Sequence, residues 1–238
     1  MLKDLTKEFY SYFFPKVEII TQETVAEFNI NDIISKSILL YGGPGSGKTE
    51  TTRKIVEVVT ECYGEDNVSV FVSETGNLSD CLNSLDNKLV NIIFVDNITR
   101  VKINDSVMLK YFRIRNLWAE KIKRHTGLII TILGVHRFHG TKAVDLRTNL
   151  DAIIWKNSPM NLYDQYVAKA YIGDEGLSAL KDLDDKRSAD KNLRGISIFN
   201  LKTNIGLLVT PLAKRNYFKK IDVSWEDTLD TVKKILAR

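Results

Sequence analysis

The residues of this sequence that could do chemistry begin with a glycine-rich run, whose members are Gly42, Gly43, Pro44, Gly45, Ser46, Gly47, Lys48 and Thr49. The run fits the pattern G-x-x-x-x-G-K-[ST] without a mismatch. Glycines let such a loop curl around phosphate oxygens where a Cβ would block the backbone, and successive N–H groups form a nest for an anion. The positive end of the following helix reinforces that nest. The run therefore predicts a phosphate-binding loop.

Three side chains at the end of this loop have separate chemical tasks. Lys48 would place a point charge on the β- and γ-phosphates, and we expect it to be an exposed cation of a surface loop. The hydroxyl of Thr49 would ligate Mg²⁺, which keeps its other positions for water and phosphate oxygens. Glu50 follows directly, and we count it with the loop residues as a nucleotide contact.

A second acidic residue stands at the end of an apolar run. The segment 92–95 reads Ile-Ile-Phe-Val and is followed by Asp96. A buried strand of this kind places one carboxylate at the carboxyl end of a sheet, beside the phosphate loop, where it can hold a water of the Mg²⁺ shell. Asp96 is therefore the second predicted metal-site residue, with Thr49 as the first.

Strands and helices that must position these residues alternate along the chain. The predicted strands are Ser37–Tyr41, Val68–Val72, Val90–Val95, Leu128–Val135 and Ala152–Trp155, and the main predicted helices are Lys48–Tyr63 and Asp105–Arg124. Such alternation predicts a mostly parallel sheet that helices cover on both faces. Further along, 195–200 and 205–211 flank a short polar turn and predict a β-hairpin, and Ser224 caps a last helix.

The loop, Asp96 and this alternation resemble the P-loop NTPase superfamily over roughly residues 37–211. Because Asp96 comes 48 residues after Lys48, a further strand, 68–72, fits between them, as in the additional-strand ATPases, which include AAA+, RecA-like and HerA/FtsK-type motors. The resemblance implies a three-layer αβα, RecA-like domain that binds ATP and Mg²⁺, with its sheet extended by the hairpin. The segment 87–90, Asn-Lys-Leu-Val, lacks the Asp of a guanine-reading motif, which disfavours GTP.

The chain departs from this resemblance at the residue that would activate water. Related ATPases usually carry a glutamate beside the acidic residue that corresponds to Asp96, whereas this chain has Asn97, whose amide cannot act as a general base. Glu74 ends the second strand at the same sheet edge and is the alternative catalytic base; otherwise Asn97 only orients water and turnover is slow. His136 ends the fourth strand, where related ATPases carry a polar residue that senses the γ-phosphate; the alternative is a histidine in a surface turn.

A basic stretch offers candidate arginine fingers and a DNA contact. Residues 100–125 contain eight Lys and Arg side chains against two acidic ones, which fits either a solvated helix face or a surface for a phosphate backbone. In the resemblance, Arg124 lies where HerA/FtsK-type pumps carry a finger that acts across a subunit interface. Arg147 lies where AAA+ proteins and some viral packaging ATPases carry an arginine. Such a finger stabilises charge on the transferring phosphoryl group.

These features together favour one function among three. The predicted hairpin and the run 134–140 followed by Arg147 resemble DNA-pumping and viral packaging ATPases, which implies a ring-like homo-oligomer of viral or plasmid origin that acts on DNA. An AAA+ replication initiator or loader is the second reading. A nucleotide-bound regulatory scaffold with little turnover is the third, because of Asn97. The segment 214–220 interleaves charge with aromatics, typical of nucleic-acid binding or of a solvated strand end.

The composition of the chain is compatible with all three candidate functions and does not choose among them. With 238 residues, 44% hydrophobic content and a net charge of +4, we expect one P-loop ATPase domain over 1–238: a docking helix and lead-in (1–36), the core (37–211) and a basic segment with a helix (212–238). The longest uncharged apolar stretch, 127–135, is about half of the ~18 residues that a membrane span needs. Two cysteines and no apolar leader predict a cytoplasmic protein, in the host cytoplasm if viral.

Overall fold

The computed structural model describes Tyr12 and residues 33–73, 78–96, 105–122, 126–136, 149–156, 162–189, 196–201 and 205–209. Strands and helices follow one another in these residues. They are β1 (Ile33–Tyr41), α1 (Lys48–Tyr63), β2 (Val68–Ser73), α2 (Leu78–Asn83), β3 (Val90–Val95), α3 (Asp105–Phe112), α4 (Ile114–Ile122), β4 (Gly127–Val135), β5 (Ala152–Trp155), α5 (Leu162–Ala189), β6 (Ile196–Leu201) and β7 (Ile205–Val209). All five strands predicted for the parallel sheet are present.

The strands form one sheet in the order β2-β3-β4-β1-β5-β6-β7. The first five in this order pair in parallel, while β6 pairs antiparallel with β5 and with β7. Every residue of β3, β4 and β5 is buried, which is typical of parallel strands with helices on both faces. The predicted α/β fold with a mostly parallel sheet is therefore confirmed.

The two faces of the sheet carry two separate hydrophobic clusters. On one face Ile38 and Leu40 of β1 pack with the apolar side of α1, including Ile55 and Val59. On the other face the alternate β1 residues, such as Leu39, pack with a cluster that includes side chains of α4 and α5. Successive residues of a strand point to opposite faces, so a single apolar strand serves both clusters. The result is the predicted three-layer arrangement.

One strand separates the loop-bearing strand from the strand that ends at Asp96. In sequence the segment between them includes β2, but in space β2 takes the edge of the sheet. The strand between β1 and β3 is β4, whose residues pair in parallel with both neighbours. The carboxyl ends of β1, β3 and β4 therefore meet at one edge of the sheet, next to the loop.

Two helices are interrupted in the structure. The helix predicted over Asp105–Arg124 forms two helices, α3 and α4, which meet at Arg113. The main-chain N of Arg113 donates to Leu109 O at 3.1 Å, which attaches Arg113 to the end of α3. Helix α5 contains a break at Gly173, whose φ of 70° lies in the left-handed region that favours glycine.

Some sequence predictions fall on residues that the structure does not describe. Apart from Tyr12, the N-terminal docking helix lies outside the described residues, and so do the basic segment 214–220 and the helix after Ser224. Within the described part, no helix is both long and apolar enough to cross a lipid bilayer.

Candidate nucleotide-binding site

The loop predicted to bind phosphate connects β1 to α1. Its first residue donates a main-chain hydrogen bond from Gly42 N to Val135 O at 3.0 Å, which ties the loop to the end of β4. Gly45 and Gly47 have φ values of 70° and 83°, a conformation that side chains with a Cβ rarely adopt. A Cβ on Gly42 would collide with the hydroxyl of Ser46. Glycine is thus required at these three positions by the backbone itself.

Lys48 is buried beneath this loop, with 6% of its surface exposed, so our expectation of an exposed cation is wrong. Its Nζ donates to Gly42 O at 2.7 Å and Gly43 O at 3.1 Å. Burial lowers the pKa of Lys48, while the charge of Asp96 acts in the opposite direction. The ammonium group is held against loop carbonyl oxygens, which the phosphates of a bound nucleotide would replace as partners.

His136 meets Lys48 at the end of β4. Its Nδ1 lies 3.1 Å from Lys48 Nζ and 3.2 Å from Gly42 O. Nδ1 can accept a hydrogen bond from the Lys48 ammonium or donate one to Gly42 O, and the tautomer of the ring decides between the two. The structure brings His136 to the predicted site, and its role as a γ-phosphate sensor stays a prediction.

Asp96 follows β3, and its main-chain N donates to Ser73 O at 2.9 Å, which fixes the end of β3 to the end of β2. Its side-chain Oδ1 is buried and makes no hydrogen bond. A Cβ on Gly134 of the neighbouring strand would lie 2.9 Å from this oxygen. Gly134 therefore leaves room beside a buried carboxylate oxygen that lacks a partner, and this is the kind of oxygen that a water of a Mg²⁺ shell satisfies.

The donor set suits Mg²⁺ bound with a nucleotide rather than a metal held by protein alone. Among the described residues, no three His, Cys, Asp or Glu side chains surround one point. Thr49 is the second residue of α1 and Asp96 directly follows β3, so the chain offers a hydroxyl and a carboxylate at the same sheet edge. Mg²⁺ in phosphate sites takes one or two protein oxygens and completes its shell with water and phosphate. These residues fit that pattern.

The AAA domain family model matches residues 26–107, which include the loop and Asp96. No curated protein is significantly similar to the chain. The loop, the acidic residue at the end of β3 and the order of β1, β4 and β3 decide the assignment. The chain has a P-loop NTPase-like α/β fold.

Solved structures of similar shape share little sequence with this chain. One is the genome packaging NTPase B204 from Sulfolobus turreted icosahedral virus 2, with ATP-gammaS, at 14% identity and a TM-score of 0.48, over 78% of this chain and 100% of that one. Another is the pCW3 conjugation coupling protein TcpA, at 14% identity and a TM-score of 0.47, over 85% and 65%. The cytoplasmic domain of the Thermomonospora curvata Type VII secretion ATPase EccC matches at 13% identity and a TM-score of 0.44, over 76% and 26%.

The carboxylate of Glu50 points along α1 toward Arg53. Arg53 pairs with Glu50 at 3.0 Å and with Glu57 at 2.9 Å, which gives the helix an internal chain of charges. Burial is the main cause that raises the pKa of Glu57, and the nearby Lys54 and Arg53 partly oppose it. Glu50 is thus occupied within the helix, and its predicted contact with a nucleotide stays a prediction.

Four predicted functional residues lie outside the described part of the chain: Glu74, Asn97, Arg124 and Arg147. Their roles as base, water-orienting group and arginine fingers stay predictions. In the basic stretch, four cations are described, and all are exposed: Lys110, Arg113, Arg115 and Lys121. An exposed row of this kind fits both a solvated helix face and a phosphate backbone.

Sequence reasoning missed one residue at the site, Lys156. This lysine directly follows β5 and is completely buried. Its main-chain N donates to Tyr41 O at 2.9 Å, at the point where the phosphate loop begins. A lysine at the end of an apolar strand is the signal that could have found it, because strand ends in such sheets gather at the ligand-binding edge.

Proposed function

We propose that this chain is a P-loop NTPase of the additional-strand division that binds ATP with Mg²⁺, hydrolyses it, and acts on DNA as a translocation or packaging-type motor. The observation that carries the nucleotide part is the juxtaposition of buried Lys48, held beneath the loop, with the unpaired Oδ1 of Asp96. Both groups lie at the carboxyl edge of the sheet, where ligands bind in open α/β folds.

In the proposed reaction, water attacks the γ-phosphorus and the bond to the β–γ bridging oxygen breaks. Glu74 accepts the proton of the attacking water, and the β-phosphate of ADP leaves with the bridging oxygen. Lys48 and the loop N–H groups stabilise the negative charge that develops on the phosphate oxygens. Thr49 and Asp96 would hold Mg²⁺, which neutralises phosphate charge when bound.

The DNA part of the proposal draws on the exposed cations of α3 and α4 and on the sequence resemblance to packaging and pumping ATPases. Lys110, Arg113, Arg115 and Lys121 all face solvent. Lysine and arginine side chains that neutralise DNA phosphates give sequence-independent binding that weakens steeply with salt. A ring-like homo-oligomer would place Arg124 or Arg147 of one subunit at the nucleotide of the next.

Two alternatives rest on specific observations. The AAA domain match over 26–107 favours an AAA+ replication initiator or loader. Asn97 beside Asp96, where related ATPases carry a glutamate, favours a nucleotide-bound regulatory scaffold with little turnover.

The experiment is ATP hydrolysis by the parent and by Lys48→Ala, each without DNA, with duplex DNA and with single-stranded DNA. Stimulation of the parent by either DNA, lost at high salt, supports the motor. Turnover that DNA does not change supports an ATPase and contradicts its action on DNA. Tight ATP binding without turnover supports the scaffold, and transfer of phosphate to a small acceptor supports a kinase instead.

A further inference from the structure

Lys156 sits at the junction of β5 and the phosphate loop. It follows Trp155, whose ring stacks on that of Tyr41 with centroids 4.0 Å apart, so the ends of β5 and β1 are fixed side by side. The Lys156 main-chain N donates to Tyr41 O at 2.9 Å and extends this pairing by one residue. Lys156 is therefore held rigidly beside Tyr41, the residue that precedes the first loop residue, Gly42.

The side chain of Lys156 runs under the loop to the first turn of α1. Its Cβ lies 2.9 Å from where a Cβ on Gly42 would be, and its Nζ donates to Thr51 Oγ1 at 2.8 Å. Thr51 Oγ1 in turn donates to Gly47 O at 3.2 Å. A hydroxyl can donate once and accept twice, so both bonds form together. Lys156, Thr51 and Gly47 thus form a hydrogen-bonded chain that connects the two ends of the loop.

Two lysine side chains are buried close to the loop. Lysine is rarely buried completely, and burying a charge is costly. Both Lys48 and Lys156 are buried here, at 6% and 0% exposure. They lie at the N-terminus of α1, where the helix dipole is also positive and disfavours a cation. A ligand with several phosphates would gain more from this local positive charge than a ligand with few.

We propose that Lys156 is a second lysine of the phosphate site, which acts from beneath the loop. It positions the loop through Thr51 and adds positive charge behind it, so that affinity rises with the number of phosphates on the nucleotide. This inference rests on the proposed function, because it concerns the same ATP site. Lys156 is a positioning residue and does not contact the reacting atoms.

Two substitutions and a matched control test it. Lys156→Met keeps the length of the side chain and removes the charge, while Thr51→Val removes the hydroxyl that links Lys156 to Gly47. Thr52→Val is the control, because Thr52 Oγ1 is also buried but makes no hydrogen bond. The affinities of ATP, ADP and AMP are measured by competition against a fluorescent ATP analogue, and the melting temperature without nucleotide is recorded for each variant.

Lys156→Met should weaken ATP binding by about tenfold or more, as expected for loss of a charged hydrogen-bonding group. The loss should be smaller for ADP and smallest for AMP. Thr51→Val should show the same order with a smaller loss, and Thr52→Val should bind all three like the parent. The melting temperature without nucleotide shows whether each variant is folded under the conditions of the binding assay.

Equal losses for the three nucleotides, or ATP binding by Lys156→Met within twofold of the parent, would overturn the inference and leave Lys156 a purely structural residue. If Lys156→Met does not fold, the comparison of Thr51→Val with Thr52→Val decides, and equal affinities of these two variants overturn it. If the parent itself binds no ATP, the proposed function fails first and takes the inference with it.

Discussion

Lys48 and Asp96 each have a polar group that the protein alone serves poorly. The Lys48 ammonium is buried and held by carbonyl oxygens of its own loop and by His136, and its pKa is lowered by burial. The Asp96 Oδ1 is buried without a hydrogen bond. Unpaired buried polar groups in native proteins call for a functional explanation. A nucleotide with its metal ion would supply the partner that Asp96 Oδ1 lacks, and would offer Lys48 charged phosphate oxygens in place of its neutral partners.

At the same scale, Glu74→Gln tests how water is activated. If Glu74 is the general base, this substitution should slow hydrolysis by about 10²–10⁴-fold and leave ATP bound, because an amide cannot take the proton. Single-turnover hydrolysis and ATP affinity are the measurements. Glu61→Gln, at an exposed position near the end of α1, is the matched control and should behave like the parent. A normal rate in Glu74→Gln would assign the base elsewhere.

Single residues also mark the limit of what sequence could predict here. The pattern around Lys48 identified the loop because its glycines have recognisable spacing, and Gly45 and Gly47 do adopt positive φ. Burial of Lys48 could not be predicted, since it depends on β4 and His136, which are distant in sequence. Lys156 was missed for the same reason, because only the pairing of β5 with β1 brings it under the loop.

At the scale of the elements, strand β4 separates β1 from β3 and brings Gly134 and His136 to the site. Its sequence is apolar throughout and predicts a buried strand, but its position in the sheet is a matter of topology. The interruptions at Arg113 and Gly173 were likewise not predicted. An isolated glycine within a helical pattern was the available signal for Gly173.

The close approach of β4 to Asp96 leads to a prediction for Gly134→Ala. The new Cβ would lie 2.9 Å from Asp96 Oδ1 and 3.3 Å from Val95 O, and the latter backbone atom cannot move aside alone. We expect a loss of about 1–3 kcal/mol in the free energy of unfolding, as for overpacking in a core. A higher Mg²⁺ concentration should also be needed for half-maximal turnover. Urea unfolding and Mg²⁺ titration of hydrolysis measure the two effects.

Ile132→Val, in the same strand, is the control for Gly134→Ala. It removes one buried methyl group and should cost about 0.5–1.5 kcal/mol of stability without changing the Mg²⁺ dependence. If Gly134→Ala keeps the Mg²⁺ dependence of the parent, the space beside Asp96 has no part in metal binding.

At the scale of the whole molecule, the proposed active form is an assembly with nucleotide sites between subunits. The phosphate loop lies at the carboxyl edge of the sheet. In the sequence, Arg124 precedes strand β4 and Arg147 precedes strand β5. Head-to-tail packing can present such an arginine to a neighbour and can close a ring. A finger supplied in this way is worth about 10³–10⁵ in rate in well-studied NTPases.

Mixing two inactive chains tests the assembly. A Lys48→Ala chain and an Arg124→Ala,Arg147→Ala chain should each be inactive alone. Mixed assemblies should regain hydrolysis where an intact loop meets an intact arginine, and activity should follow the mixing ratio. If the double arginine variant hydrolyses ATP as fast as the parent, with and without DNA, or if the parent is strictly monomeric with both ligands, the shared-site idea fails.

Calorimetric titration of ATP with Mg²⁺ into the parent and into Lys48→Ala tests the central claim most directly. The parent should bind one ATP per chain, and Lys48→Ala should show no tight binding while its circular dichroism spectrum stays that of a folded protein. Within the described part of the chain, Lys48 hydrogen-bonds to its own loop and to His136, so its loss should spare the sheet. Equal ATP affinity in a folded Lys48→Ala protein, or no binding by the parent, would contradict the account.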